Sequence, residues 1–226
     1  MKFKAIAFDL DDTLIDTTGL LVPMASRTAF DRMTEKGIKT TFEVFEEERR
    51  IGALSMSHRQ IFRTIAEKYG APFTEEQAQV GIDAFYNPPL PDKLDLLPGA
   101  LENLEALKSR YDLHLVTSGA LPTQKEKVRR AGIEKYFRNM YFLDSFKKER
   151  KQIAFQKILE TQKINPTELL VIGNRLSQEI RDGKIVGGIT CYFKYGEHVG
   201  EVEQDHFERP DITVLEHKEL IQACQL

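Results

Sequence analysis

The sequence predicts an α/β fold: an open parallel sheet with a small all-helical domain inserted after its first strand. Phe3 to Phe8 is short, apolar apart from Lys4 and rich in strand formers, as a buried parallel strand reads. Residues 17–86 then show helical spacing without a convincing strand, and the pattern breaks at Asn87-Pro88-Pro89-Leu90-Pro91. From Leu96 onward, short apolar runs alternate with helical stretches. This places residues 1–15 and 93–226 in the α/β core and 16–92 in the helical domain.

The first strand ends unusually, in Asp9, Asp11 and Asp12 followed by Thr13. Carboxylates this close repel one another, so a positive partner is expected, and a divalent cation is the simplest. Residues i and i+2 of a strand share a face, so Asp9 and Asp11 can converge on one point.

In the helical stretch, Val22, Ala25, Ala29, Phe30 and Met33 mark one helix that ends before Gly37. Thr41 starts a second, with Phe42 and Phe45 on one face and the charged run Glu46 to Arg50 on a solvated face. Ser57 caps a third, carrying Ile61, Phe62, Ile65, Ala66 and Tyr69, with His58 and Arg59 at its start as candidates to meet a ligand, although exposed surface residues are the commoner case for such groups. Thr74 and Gln77 form a capping box for a fourth, which runs to about Tyr86.

Beyond the prolines, Leu97-Pro98-Gly99 opens a helix that leads into the strand Leu113 to Val116, where His114 reads as a core or edge histidine. That strand ends in Thr117-Ser118-Gly119. Hydroxyls and backbone N–H groups there suit a phosphate, and the glycine permits close approach. A helix from Pro122 to Ala131 and a strand from Asn139 to Leu143 follow. The basic run from Lys147 to Lys151 then opens the helix Gln152 to Gln162. Cations are disfavoured at a helix N-terminus, so something negative should face them. Leu169 to Gly173 is a wholly apolar strand that runs into Asn174 and, further on, Glu179. A fifth strand, Ile189 to Phe193, and a helix from about His217 to Ala223 complete the core.

Phe-Asp-Leu-Asp-Asp-Thr-Leu at residues 8–14 closely resembles the first signature of the haloacid dehalogenase-like (HAD) hydrolase superfamily, in its phosphatase type with a helical cap. The resemblance covers essentially the whole chain and implies a Rossmann-like core. It implies that Asp9 is the nucleophile and Asp11 the general acid/base. Asp11 also sets the chain apart from the dehalogenases, which lack an acid there. The strand ending at Thr117 is similar to the second signature, giving Thr117 a phosphate-binding hydroxyl with Ser118 and Gly119 as backbone neighbours. Lys151, with Lys148 second, takes the place of the third-signature lysine, although the Lys-Pro common in the family is missing. Gly173-Asn174 resembles the fourth signature with two departures: Asn174 stands where a metal-ligating Asp is expected, and Glu179 replaces the second Asp. The implied cofactor is Mg²⁺, held by Asp9, the Asp11 backbone carbonyl, Asn174 or Glu179, and water. Magnesium takes such hard oxygen ligands.

The implied function is Mg²⁺-dependent hydrolysis of a small phosphorylated metabolite through an aspartyl-phosphate. A phosphomutase and a non-catalytic phospho-ligand-binding protein are the alternatives, and neither substrate nor oligomeric state is legible. With 32 basic and 35 acidic residues and a net charge of −3, nothing argues for nucleic acid or an anionic membrane. Cys191 and Cys224 lack metal-ligand spacing and read as buried free thiols. No signal pattern or run of ~18 apolar residues occurs, so a cytoplasmic protein is expected.

Overall fold

The structure, a computed structural model, describes residues 3–147 and 149–226. The chain forms two compact units, Met1–Asp16 with Pro91–Leu226, and Thr17–Leu90.

In the first unit the described residues form a six-stranded, wholly parallel sheet. Its strands are β1 (Ala5–Phe8), β2 (Asp112–Gly119), β3 (Asn139–Asp144), β4 (Leu169–Gly173), β5 (Ile189–Phe193) and β6 (Ile212–Val214), in the order β3-β2-β1-β4-β5-β6. The central strands β1 and β4 are buried along their whole length, as strands covered on both faces must be. Phe8 pairs with Leu115 on one side and Ile172 on the other, so the carboxyl ends of β1 and β4 lie within a residue of each other while β2 runs four residues further, to Gly119. Ligands bind at that edge of an open α/β sheet. Strand β6 is absent from the sequence reading. Three residues carry too little periodicity to declare a strand, and Ile212–Val214 becomes one only by pairing with Cys191–Phe193.

The helices of the second unit are α1 (Val22–Glu35), α2 (Phe42–Gly52), α3 (His58–Tyr69) and α4 (Glu75–Tyr86). Those of the first are α5 (Ala100–Leu107), α6 (Leu121–Ala131), α7 (Lys151–Gln162), α8 (Arg181–Ile185) and α9 (His217–Ala223). One face of α7 packs Ala154, Phe155 and Ile158 onto Ala5, Ala7, Val116 and Val171, which fixes the start of α7 near the carboxyl end of the sheet. His114 is fully buried in β2 against Gln162, and burial pushes its pKa down to about 4, so it is neutral near pH 7. Cys191 and Cys224 are buried free thiols.

In the helical unit, Ser57 and Gln60 cap α3, and Thr74 and Gln77 cap α4, as reciprocal capping boxes. Phe45 stacks on Phe62, which touches Phe85, giving the unit its own core. The charged run on α2 is not simply a solvated face: Arg49 is 4% exposed and takes Glu46 with two nitrogens. The apolar side of α2 is wide enough to draw one of the five charged residues inward, and a buried guanidinium persists only when paired. No helix among the described residues is long and apolar enough to cross a membrane.

Candidate active site

Three loops leave the carboxyl ends of β1, β2 and β4. The first carries Asp9, whose N–H donates to Ile172 O at 2.9 Å, so β4 hydrogen-bonds the first residue beyond β1. The turn that follows folds back on itself, with Leu14 N–H bonded to Leu10 O at 2.8 Å and Asp12 at a φ of 53°. From α9, His217 Nε2 bonds Thr13 O at 2.7 Å and pins the turn to the core.

Asp9 is buried, and Lys151 Nζ donates to its Oδ1. Lys151, 3% exposed, also lies 2.5 Å from Glu179 Oε1, a contact aligned as an ion pair rather than as a hydrogen bond. Glu179 Oε2 accepts the Arg175 N–H at 2.9 Å. Burial would pull Lys151 down, yet Asp9 and Glu179 hold it above its ordinary pKa. Burial likewise pushes the Asp9 carboxyl up to about 7 against the pull of Lys151, and the charges of Glu179 and Asp11 add to the rise. Two carboxyl groups thus face one ammonium out of water, and the second of them lacks a full counter-charge when both ionise.

The predicted oddity of a basic helix start resolves here. Asp182, buried on α8, accepts the Gln152 N–H at 3.1 Å and pairs with Arg150. A carboxylate at the N-terminus of α7 satisfies an orphan N–H and complements the helix dipole. Lys151, next to it, can therefore point at Asp9. Lys148 lies outside the described residues.

Asp11 sits apart from this pair, against α6. Lys127 Nζ donates to its Oδ1 at 2.6 Å and Gln124 Nε2 to its Oδ2 at 2.7 Å. Gln124 Nε2 also donates to Thr117 Oγ1 at 2.5 Å. Thr117 is fully buried, whereas Ser118 is half-buried, so Ser118 is the hydroxyl at this strand end with surface to offer a ligand. Gly119 has a further use: a Cβ there would stand 2.9 Å from the Gln124 side chain, so the glycine lets Gln124 lie over the strand.

Asn174 is buried, and its Nδ2 donates to Tyr195 O at 3.3 Å, which directs the amide oxygen the other way. Among the described residues no group of three or more His, Cys, Asp or Glu is arranged to hold a metal. The oxygens at hand are instead mixed: carboxylate, backbone carbonyl and carboxamide. Such a hard set fits Mg²⁺, and a cation beside Asp9 would offset the cost of ionising two buried carboxyl groups around one lysine.

Gln124, Lys127 and Asp182 were not anticipated. The i, i+3 spacing of Gln124 and Lys127 on one helix face was visible, but nothing in the chain says what that face meets.

A parallel sheet with Asp9, Lys151 and Asp11 gathered at its carboxyl edge fits a class of hydrolase, and comparison with known proteins agrees. The haloacid dehalogenase-like hydrolase family matches residues 3–187. A glyceraldehyde 3-phosphate phosphatase of Pyrococcus abyssi is 32% identical over 85% of this chain and 82% of its own length. That of Pyrococcus furiosus is 28% identical over 99% and 94%. The structure of Bacillus subtilis YfnB bound to magnesium superposes with a TM-score of 0.69, covering all of both chains at 18% identity. The chain belongs to the haloacid dehalogenase-like hydrolases and is an enzyme of that family.

Proposed function

We propose that this hydrolase is a Mg²⁺-dependent phosphatase that cleaves a small phosphorylated metabolite through an aspartyl-phosphate on Asp9. The observation that carries this reading is the buried Asp9–Lys151–Glu179 cluster with Asp11 held beside it. A phosphate dianion approaching a carboxylate is repelled, and Lys151 offsets that repulsion where water is excluded. Asp9 attacks phosphorus while the bond to the leaving oxygen breaks. That oxygen keeps the electron pair and takes the proton of Asp11. Asp11 then accepts a proton from the water that attacks the aspartyl-phosphate, which regenerates Asp9 and frees inorganic phosphate. Ser118 and the backbone N–H groups near Gly119 bind the phosphate, with Thr117 beneath them as support.

Asp9, the Asp11 backbone carbonyl, Asn174 Oδ1 and water would hold Mg²⁺, whose chemistry is to neutralise nucleophile and phosphate. Glu179 orients Lys151 instead, since its oxygens face Lys151 and the Arg175 N–H. The Pyrococcus relatives carry names that specify a three-carbon phosphate monoester, which supports a substrate of that size here.

The test is phosphate release from 4-nitrophenyl phosphate, glyceraldehyde 3-phosphate and other two- and three-carbon monoesters, with and without Mg²⁺, beside Asp9→Asn. Turnover that needs Mg²⁺ and falls to background in the variant supports the reading. A folded wild type that binds phosphate without turning over any of them would overturn it in favour of a phospho-ligand-binding role.

A further inference from the structure

We infer that Gln124 and Lys127 are positioning residues for Asp11, and that Thr117 serves the reaction through Gln124. This rests on the phosphatase reading above. Both oxygens of Asp11 have a donor on the same helix face, Lys127 at 2.6 Å and Gln124 at 2.7 Å. A carboxyl group gripped at both oxygens cannot turn about its side-chain torsions without losing one bond or the other. Because each oxygen has two lone pairs, the group can carry the catalytic proton while still accepting both bonds. Gln124 is itself immobilised. Its amide nitrogen has two hydrogens, one directed at Asp11 and one at the oxygen of fully buried Thr117. Gln124 and Lys127 are both buried, so the donors of these bonds are held by packing, and the Gln124–Thr117 bond lies out of water.

Threonine at the end of β2 thus anchors a glutamine on α6, and the glutamine fixes the acid on the β1 loop. The register that sets Phe8 level with Leu115 makes the span possible. A general acid contributes only when held at hydrogen-bond distance from the oxygen that needs the proton. Gln124 and Lys127 supply that placement through their bonds to Asp11.

The consequence is selective. An alkoxide leaving group needs the proton of Asp11 as the P–O bond breaks, whereas 4-nitrophenolate leaves without much help. kcat/KM reports the steps up to that cleavage. Loosening Asp11 therefore lowers kcat/KM for an alkyl phosphate much more than for 4-nitrophenyl phosphate.

The variants are Gln124→Glu, nearly isosteric, which replaces the N–H donors by a carboxyl that repels Asp11 instead of holding it, and Lys127→Met, which keeps the chain length and removes the ammonium. Each is assayed with glyceraldehyde 3-phosphate or the best alkyl substrate, and with 4-nitrophenyl phosphate. Inhibition by orthovanadate, thermal melting and the Lys127→Arg variant are measured alongside. The expected result is a fall of ~10²-fold in kcat/KM on the alkyl ester and less than ~10-fold on the aryl ester. Vanadate inhibition should stay within about threefold, and Lys127→Arg should recover part of the loss because a cationic donor is retained. Equal losses on both esters, or none, in a folded variant of an active wild type would overturn the inference and leave the phosphatase reading intact. An inactive wild type would instead strike at that reading. Should Lys127→Met melt below the assay temperature, Gln124→Glu carries the same comparison.

Discussion

Asn174 shows how far one atom pair can matter. Replacing a carboxylate by a carboxamide removes a negative charge worth up to about 4 kcal/mol against a unit positive charge at ~4 Å, before desolvation is counted. The Tyr195 carbonyl, by taking the amide N–H, keeps the remaining oxygen oriented. Asn174→Asp restores the charge but removes the donor to Tyr195, so only part of the Coulomb gain should appear. We expect the Mg²⁺ dissociation constant to fall about tenfold, read by calorimetry without substrate. An unchanged or weaker affinity would mean that residue 174 does not ligate the ion. Lys151 makes the complementary point. Its spacing to Phe155 on the same helix favours it over the other basic residues of the run, but what it meets, Asp9 across 142 positions of sequence, is visible only in the fold. No local pattern encodes that distance.

Helix α7 carries the lysine, so whatever fixes its first turn fixes Lys151. Asp182 does this by accepting the Gln152 N–H and pairing with Arg150. Asp182→Ala should lower stability by about 2 kcal/mol, a cap lost together with a charged hydrogen bond. At ~2–4 °C per kcal/mol for a chain of this size, the melting temperature drops several degrees. On the proposed mechanism activity should fall as well, through kcat rather than KM, because Lys151 loses its aim at Asp9 while the proposed phosphate site at Ser118 is unchanged. A melting temperature within a degree of wild type would contradict this account of the helix start. The capped helices α3 and α4 were readable because their signals lie within three residues of each other. The Asp182 cap was not, since donor and acceptor stand 30 positions apart.

The two units have separate cores, aromatic in Thr17–Leu90 and aliphatic around β1 and β4 in the other. Phe45 is fully buried, and Phe45→Ala should cost the helical unit about 3–5 kcal/mol. Hydrogen exchange should then quicken by ~10²-fold or more for amides of α1–α4, while those of β1 and β4 keep their protection. A uniform rise in both units would show that they open as one. The parts of this protein set by short stretches of chain were open to reading from the start: the apolar β1 ending in Asp9 and Asp11, the helix caps, and the prolines that close the insertion. Each depends on residues near one another in sequence, where periodicity, capping and charge spacing operate. The parts that needed the fold join residues far apart. Strand β6 exists only against β5, Arg49 turns inward only because Glu46 and the neighbouring helices receive it, and Asp11 meets Lys127 across 116 positions. Those pairings are made by strand register and helix packing, which bring together groups that no window of sequence contains.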